Sequence, residues 1–343
     1  MRLKNLILII CSFLLIINTL QAEDKKVGEF FGAKNTHMPS WFLNSFLDLS
    51  EDIEDLASNN KRLILYIHQD NCPYCYKFIT ENLSDKTTKN KILKNFGIVE
   101  FNMFGDREII DIDGEEYTEK EFAIKYKVQF TPTLIFFDEE GKQLLRLNGY
   151  INIKDFNLAL DYIKDKKENS LSYKEYIRVK KNEKQNMTLI DEPDLFTKTR
   201  SFVRESDSKK MAIFFESTNC NECKTLHNKL LKDEKTRALL KKIDVYQIDI
   251  NSPKSIVTPS KLITKIKDWT VELNITHIPT VIFFDEKAQE IIRIESNFKN
   301  FHFQSIVDYA VSNAYKDEKE FQRYLTKRAD DIREKGIDVN IWD

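Results

Sequence analysis

Four cysteines of this chain fall into two close pairs, Cys72-Pro73-Tyr74-Cys75 and Cys220-Asn221-Glu222-Cys223. Sulfurs at that spacing can close a disulfide across one helical turn, and the open dithiol can pass two electrons to another disulfide. Such exchange needs an attacking thiolate, a second thiol to resolve the mixed disulfide, and access. An apolar run precedes each pair, Leu63 to Ile67 or Met211 to Phe215. A proline follows 60 or 59 residues after the first cysteine and opens a second apolar run. These prolines are Pro132, in Thr131-Pro132-Thr133-Leu134-Ile135-Phe136-Phe137, and Pro279, in Ile278-Pro279-Thr280-Val281-Ile282-Phe283-Phe284. Cys220 lies 148 residues after Cys72 and Pro279 lies 147 after Pro132, so one redox constellation is written twice.

If each pair opens a helix, its first cysteine meets unsatisfied amides and the positive end of the helix dipole, and both favour the thiolate. Cys72 and Cys220 are therefore expected to attack, and Cys75 and Cys223 to resolve. Proline has no amide N–H, and X-Pro is the bond that reaches cis at modest cost. Ahead of a strand it leaves a backbone edge on which a peptide can add. Thr131 and Ile278, just before the prolines, should touch the sulfur or its substrate, one through a hydroxyl and the other through hydrocarbon. Glu222 places a carboxylate between the second pair, which raises a neighbouring thiol pKa. Cys220 is thus expected to be the less ionised nucleophile, and a purely structural disulfide remains the rival reading of the second pair. Cys220, Cys223 and His227 share a helix face at a spacing that can ligate copper or zinc. His227 nevertheless takes the slot that Ile79 holds in the first repeat, and is expected to face the core. Zinc shared by both pairs would need thiolates of separate units to converge. No metal and no cofactor is expected.

The elements that must position these residues recur in order. Apolar positions 46, 49, 53, 56 and 57 predict an amphipathic helix, and Leu63 to Ile67 a buried strand. A helix with Phe78, Ile79 and Leu83 inward follows the first pair, then a strand over 98–103. An insert over 104–121 carries the turn signal Asp113-Gly114. A short helix over 122–126, strands over 133–137 and 143–147, and a helix over 156–163 close the unit. The second unit repeats this with strands over 211–215, 243–248, 281–284 and 290–294, inward Leu226, Leu230 and Leu231, and a helix over 303–311. Phe122 and Trp269 each stand ten residues before the proline and are expected in one core slot. The fold class is therefore α/β, with two units, each a mixed central sheet flanked by helices. Their spans are 23–165 and 191–315. Residues 166–190 form a linker helix or solvated connection, and 316–343 a charged helical tail packed on its own unit.

The length of 343 residues accommodates two such domains. With 53 Lys and Arg against 55 Asp and Glu, there is no basic excess to hold a nucleic-acid backbone. Residues 1–22 read as a signal peptide: Arg2 and Lys4, an apolar stretch from Leu6 to Leu20, then Leu20-Gln21-Ala22 before Glu23-Asp24. The stretch is short for a spanning helix, which needs about 20 residues. An uncleaved anchor is the alternative. Cleavage after Ala22 removes Cys11, so every cysteine of the exported chain belongs to a pair and none is left as a separate staple. The expected location is periplasmic or secreted.

Both halves resemble thioredoxin-fold proteins over about 270 residues. The first half more closely resembles the periplasmic thioredoxin-related proteins found with bacterial sulfur-oxidation systems, the SoxW type. The segments that carry this are Leu65-Tyr66-Ile67-His68-Gln69-Asp70-Asn71-Cys72-Pro73-Tyr74-Cys75, Gly105-Asp106-Arg107-Glu108 and Thr131 to Gly141. The resemblance implies a thiol reductase acting on secreted or periplasmic cysteine-containing proteins and recharged by a membrane thiol electron donor. A peptide-holding adaptor and a disulfide oxidase or isomerase are the alternatives. Asn71 and Asn219 stand where thioredoxin has tryptophan. Tyr66 and Phe214 stand where it has a buried aspartate, so Asp70, Glu216 or Glu222 must serve as the acid, or water must carry the proton.

Overall fold

The computed structural model describes residues 26–342 except 181–187, 206, 219 and 296–297. The expected signal peptide lies outside the described residues. Among the described residues no helix is long and apolar enough to cross a membrane.

Each unit is built on a four-stranded mixed sheet. In the first, β1 (Arg62–His68) lies between parallel β2 (Phe96–Asn102) and antiparallel β3 (Thr133–Phe137), with β4 (Gln143–Asn148) at the edge. The β1 side chains alternate between two cores. Ile64 and Tyr66 join one core with Phe78 and Phe156; Leu63, Leu65 and Ile67 join the other with Leu56 and Phe122. Period two on a strand covered on both faces requires this division. Burying each such aliphatic side chain contributes roughly 2 kcal/mol. In the second unit β5 (Met211–Glu216) takes the central place between β6 (Asp244–Asp249) and β7 (Thr280–Phe284), with β8 (Glu290–Ile294) outside. Phe122 and Trp269 are both buried in the corresponding cores.

The first helix spans Leu49–Ser58, where Asp48 accepts the amides of Ser50 and Glu51. This cap starts the helix beyond Phe46, which is 95% exposed and leaves the expected apolar face to Leu49, Ile53 and Leu56. The insert is a hairpin, Glu108–Ile110 against Glu116–Thr118, with Gly114 supplying a φ of 83° at its turn. Its counterpart, Ser255–Val257 against Ile263–Lys265, was not evident from turn residues. Gly105 earns its place by closeness: an added Cβ would lie 1.8 Å from a Glu119 carboxylate oxygen. That carboxylate also accepts the amides of Asn102 and Arg107.

Within the segment expected as a linker helix or solvated connection there is a helix that packs on both units, and the expected helical tail reaches beyond its own unit. The helix Tyr173–Lys180 buries Tyr173 and Tyr176 against Tyr162 of the first unit, and Tyr173 also meets the His277 ring of the second. The tail helix Phe321–Arg333 buries Phe321 in the core of its own unit, as expected. Its other side reaches the first unit, and Val339–Asn340 then pairs with Phe30–Phe31 near the opposite end of the chain. The charges that mark this segment as solvated occupy only part of the helix surface; Phe321, Gln322 and Ala329 are buried.

Candidate redox sites

Cys72 and Cys220 each sit at the start of a helical run, Pro73–Lys77 and Asn221–Thr225, which continues as a wider turn. Both cap their helices. Cys72 Sγ accepts the Cys75 amide at 3.0 Å and Cys220 Sγ the Cys223 amide at 2.9 Å. An amide aimed at sulfur favours its negative form. Each pair is closed as a disulfide, Cys72–Cys75 and Cys220–Cys223.

The Thr131–Pro132 and Ile278–Pro279 bonds are both cis. Thr131 Oγ1 lies 3.3 Å from Cys72 Sγ, where the sequence expects the contact. Ile278 and Pro279 line a cleft of about 710 Å³ together with Cys220. A matching side-chain bond braces the two proline loops: Thr133 donates to the Phe130 carbonyl and Thr280 to that of His277, each at 2.7 Å. Cys72 is 1% exposed and Cys220 4%, so neither sulfur is openly presented.

The slots named as lacking the thioredoxin acid are filled by Tyr66 and Phe214, both buried. Tyr66 donates to the Cys75 carbonyl at 3.4 Å, and burial pushes its phenol well above its ordinary pKa. Of the three alternative acids near the pairs, Asp70 is exposed and Glu222 partly exposed, whereas Glu216 is buried at the end of the strand before the second pair. Its carboxylate lies 2.9 Å from His227 Nε2 and accepts from Gln247 at 3.0 Å. Glu192, which the sequence did not single out, lies 2.6 Å from His227 Nδ1 and also pairs with Arg237. His227 is buried, as expected, with both ring nitrogens facing carboxylates. Burial alone would lower its pKa, but Glu216 and Glu192 outweigh that and raise it. The strand position of Glu216 is held in the first unit by His68, 2.7 Å from Glu100. The hydrogen bond from His68, with the nearby charge of Arg107, outweighs partial burial and holds the Glu100 carboxyl below its usual range.

Other residues at the first pair come from distant parts of the chain. Tyr74 meets the rings of Phe298, His302 and Trp342 at 5.0 to 6.3 Å. No local sequence signal marks these contacts, because all three lie more than 200 residues away.

The thioredoxin-like domain model matches residues 49–164 and 203–310. No curated protein matches the chain. Solved structures similar to it include a thioredoxin-fold protein from Helicobacter pylori, 15% identical with a TM-score of 0.37, covering 41% of this chain and 92% of that one. A thioredoxin from Thermus thermophilus is 24% identical with a TM-score of 0.27, covering 33% and 82%. The oxidised DsbD C-terminal domain from Neisseria meningitidis is 12% identical with a TM-score of 0.25, covering 34% and 91%. With two matched segments, each holding a cysteine pair and a cis-proline built for thiol–disulfide exchange, the chain belongs to the thioredoxin-like domain family.

Proposed function

We propose that this chain is an exported thiol–disulfide oxidoreductase that reduces disulfides of secreted or periplasmic proteins. The observation that carries the reading is the Cys72 sulfur, held at a helix start by the Cys75 amide and faced by Thr131 before a cis-proline. The Cys72 thiolate attacks a substrate disulfide, forming a mixed disulfide and releasing one substrate thiolate. Cys75 then attacks Cys72 Sγ, which frees the second substrate thiolate and closes Cys72–Cys75. Two electrons pass to the substrate, the released thiolates take up protons, and a membrane thiol electron donor restores the dithiol. Thr131, Pro132, Ile278 and Pro279 position the peptide. Cys220 and Cys223 take the same two roles in the second unit, and the proton of each resolving thiol passes to water or to a carboxylate near the pair.

Substrate trapping tests the roles. Cys75→Ser should accumulate mixed disulfides with extracytoplasmic proteins, and Cys72→Ser should not. Equal trapping by both, or by neither, refutes the assignment. Peptide binding that survives loss of all four thiols would turn the reading to an adaptor. Direction is read from the potential of each pair in a glutathione buffer, where 30 mV corresponds to about 1.4 kcal/mol. A potential as oxidising as that of a dedicated oxidase would overturn the preference for reduction.

A further inference from the structure

The first pair is covered by the far end of its own chain. Gln322 of the tail helix is buried and binds both loops that frame the site. Its Nε2 donates to the Gln129 carbonyl, two residues before Thr131, at 2.9 Å. Its Oε1 accepts from Gln69 Nε2, three residues before Cys72, at 3.1 Å. Beside it, Phe130 lies between Phe298 and Phe321 at ring distances of 5.1 and 5.5 Å. At the other end of the cover, Trp342 meets the Tyr74 ring at 5.3 Å. The paired strands Val339–Asn340 and Phe30–Phe31 tie the end of the cover down. Beneath it lies a cavity of about 410 Å³ that touches Cys72, Thr131, Gln322 and Ile341.

From this we infer that Phe321–Trp342 is an intramolecular lid over the Cys72–Cys75 site, and that the first pair exchanges with protein substrates only when the lid lifts. The inference rests on the redox reading of that site. Attack on Cys72 requires a partner sulfur in line with a sulfur that is 1% exposed, and a folded protein cannot bring one there past Gln322 and Tyr74. The hold is divided. Phe321 is anchored in the core of the second unit, while the first unit is held by two amide hydrogen bonds of Gln322, the ring contacts of Phe130 and Tyr74, and the short pairing of Val339–Asn340 with Phe30–Phe31. Interactions of that size can be broken without unfolding either core.

The test uses the oxidised full chain carrying Cys220→Ser and Cys223→Ser, so that one pair is read. Dithiothreitol breaks the Cys72–Cys75 bond to two thiols and itself closes to a ring disulfide; the thiols are counted by mass after alkylation. Gln322→Ala, which removes two amide hydrogen bonds, and Trp342→Ala, which removes an aromatic contact worth about as much as one, should each speed this reduction at least about fivefold. In the reciprocal chain, with Cys72→Ser and Cys75→Ser, the same substitutions should leave reduction of Cys220–Cys223 unchanged. An unaltered rate at the first pair, or equal acceleration at both, overturns the lid. If Gln322→Ala does not fold, Gln69→Ala removes one of its two bonds from the first unit's side. The readout uses a small dithiol and no protein substrate, so the lid can fail while the proposed function stands, and the reverse.

Discussion

Asn148 Nδ2 donates to Glu295 Oε2 at 2.5 Å, and the two residues are 147 positions apart, the same spacing that relates the two prolines. They hold equivalent places, Asn148 as the last residue of the edge strand Gln143–Asn148 and Glu295 directly after the edge strand Glu290–Ile294, so the units meet through like parts of themselves. Each cysteine pair consequently faces the last strand-to-helix turn of the other unit: Cys220 shares its cleft with Tyr150 and Ile151, and Tyr74 packs on Phe298 and His302. Both sites are set at the junction between units. Glu295→Ala should take one acceptor each from Asn148 and Arg293 at a part-buried place and weaken the junction by about 2 kcal/mol. Limited proteolysis should then separate the two units faster, with both sheets still folded. Cutting no faster than in the wild type would show that the pair holds nothing.

Two buried histidines should shape stability against pH with opposite sign. His302 has no partner at Nδ1, and burial lowers its pKa to about 4. Because its packed form resists a proton, its contribution is complete above about pH 6.5 and is lost as pH falls toward 4. The loss should reach at most about 3 kcal/mol. His302→Phe should remove that acid-side decline in a urea titration while keeping the ring contacts.

For His227 the folded pKa is raised, so its pairing stabilises fully below about pH 6.5 and fades as pH rises through the raised value. Replacing it with Leu leaves Glu216 buried beside Gln247 alone. The cost should be about 3–5 kcal/mol at neutral pH, measured by urea unfolding, the penalty for breaking a buried pair from one side. A change under 1 kcal/mol would show that the His227–Glu216 pair contributes little to the fold.

Glu222 stands between the two cysteines in the first turn of their helix and lines the same cleft as Cys220, and its carboxylate should hold the Cys220 thiol above the pKa it would otherwise reach at a helix start. Glu222→Gln should therefore speed iodoacetamide labelling of reduced Cys220 at neutral pH by roughly twofold to fivefold. The profile of labelling against pH should move to lower pH without a change in its plateau. A changed plateau alone would assign the effect to access.

Export is checked at the start of the chain. Protein recovered from its native source should begin at Glu23 by mass spectrometry, since Leu20-Gln21-Ala22 ends the apolar leader. Intact Met1 on soluble cytoplasmic protein would remove export from the proposal.

The amino-acid sequence by itself determined the double constellation, because strand alternation, a helix after each cysteine pair and Pro at the second strand are local regularities. Leu63 to Ile67 could hardly be anything but a buried strand, and the Thr131 contact to Cys72 follows from the proline that orders its loop. The contacts of Gln322, His302 and Trp342 carry no such mark. A glutamine in a charged helix looks the same whether it faces water or bridges Gln69 and Gln129; only the chain's return across about 250 residues decides which. Likewise Glu216 reads as a candidate acid and His227 as a core-facing residue in the slot of Ile79, and they become a satisfied pair only when strand and helix pack face to face. Burial converts periodicity into a core without reference to distant sequence, whereas closure of the first site depends on which two surfaces meet.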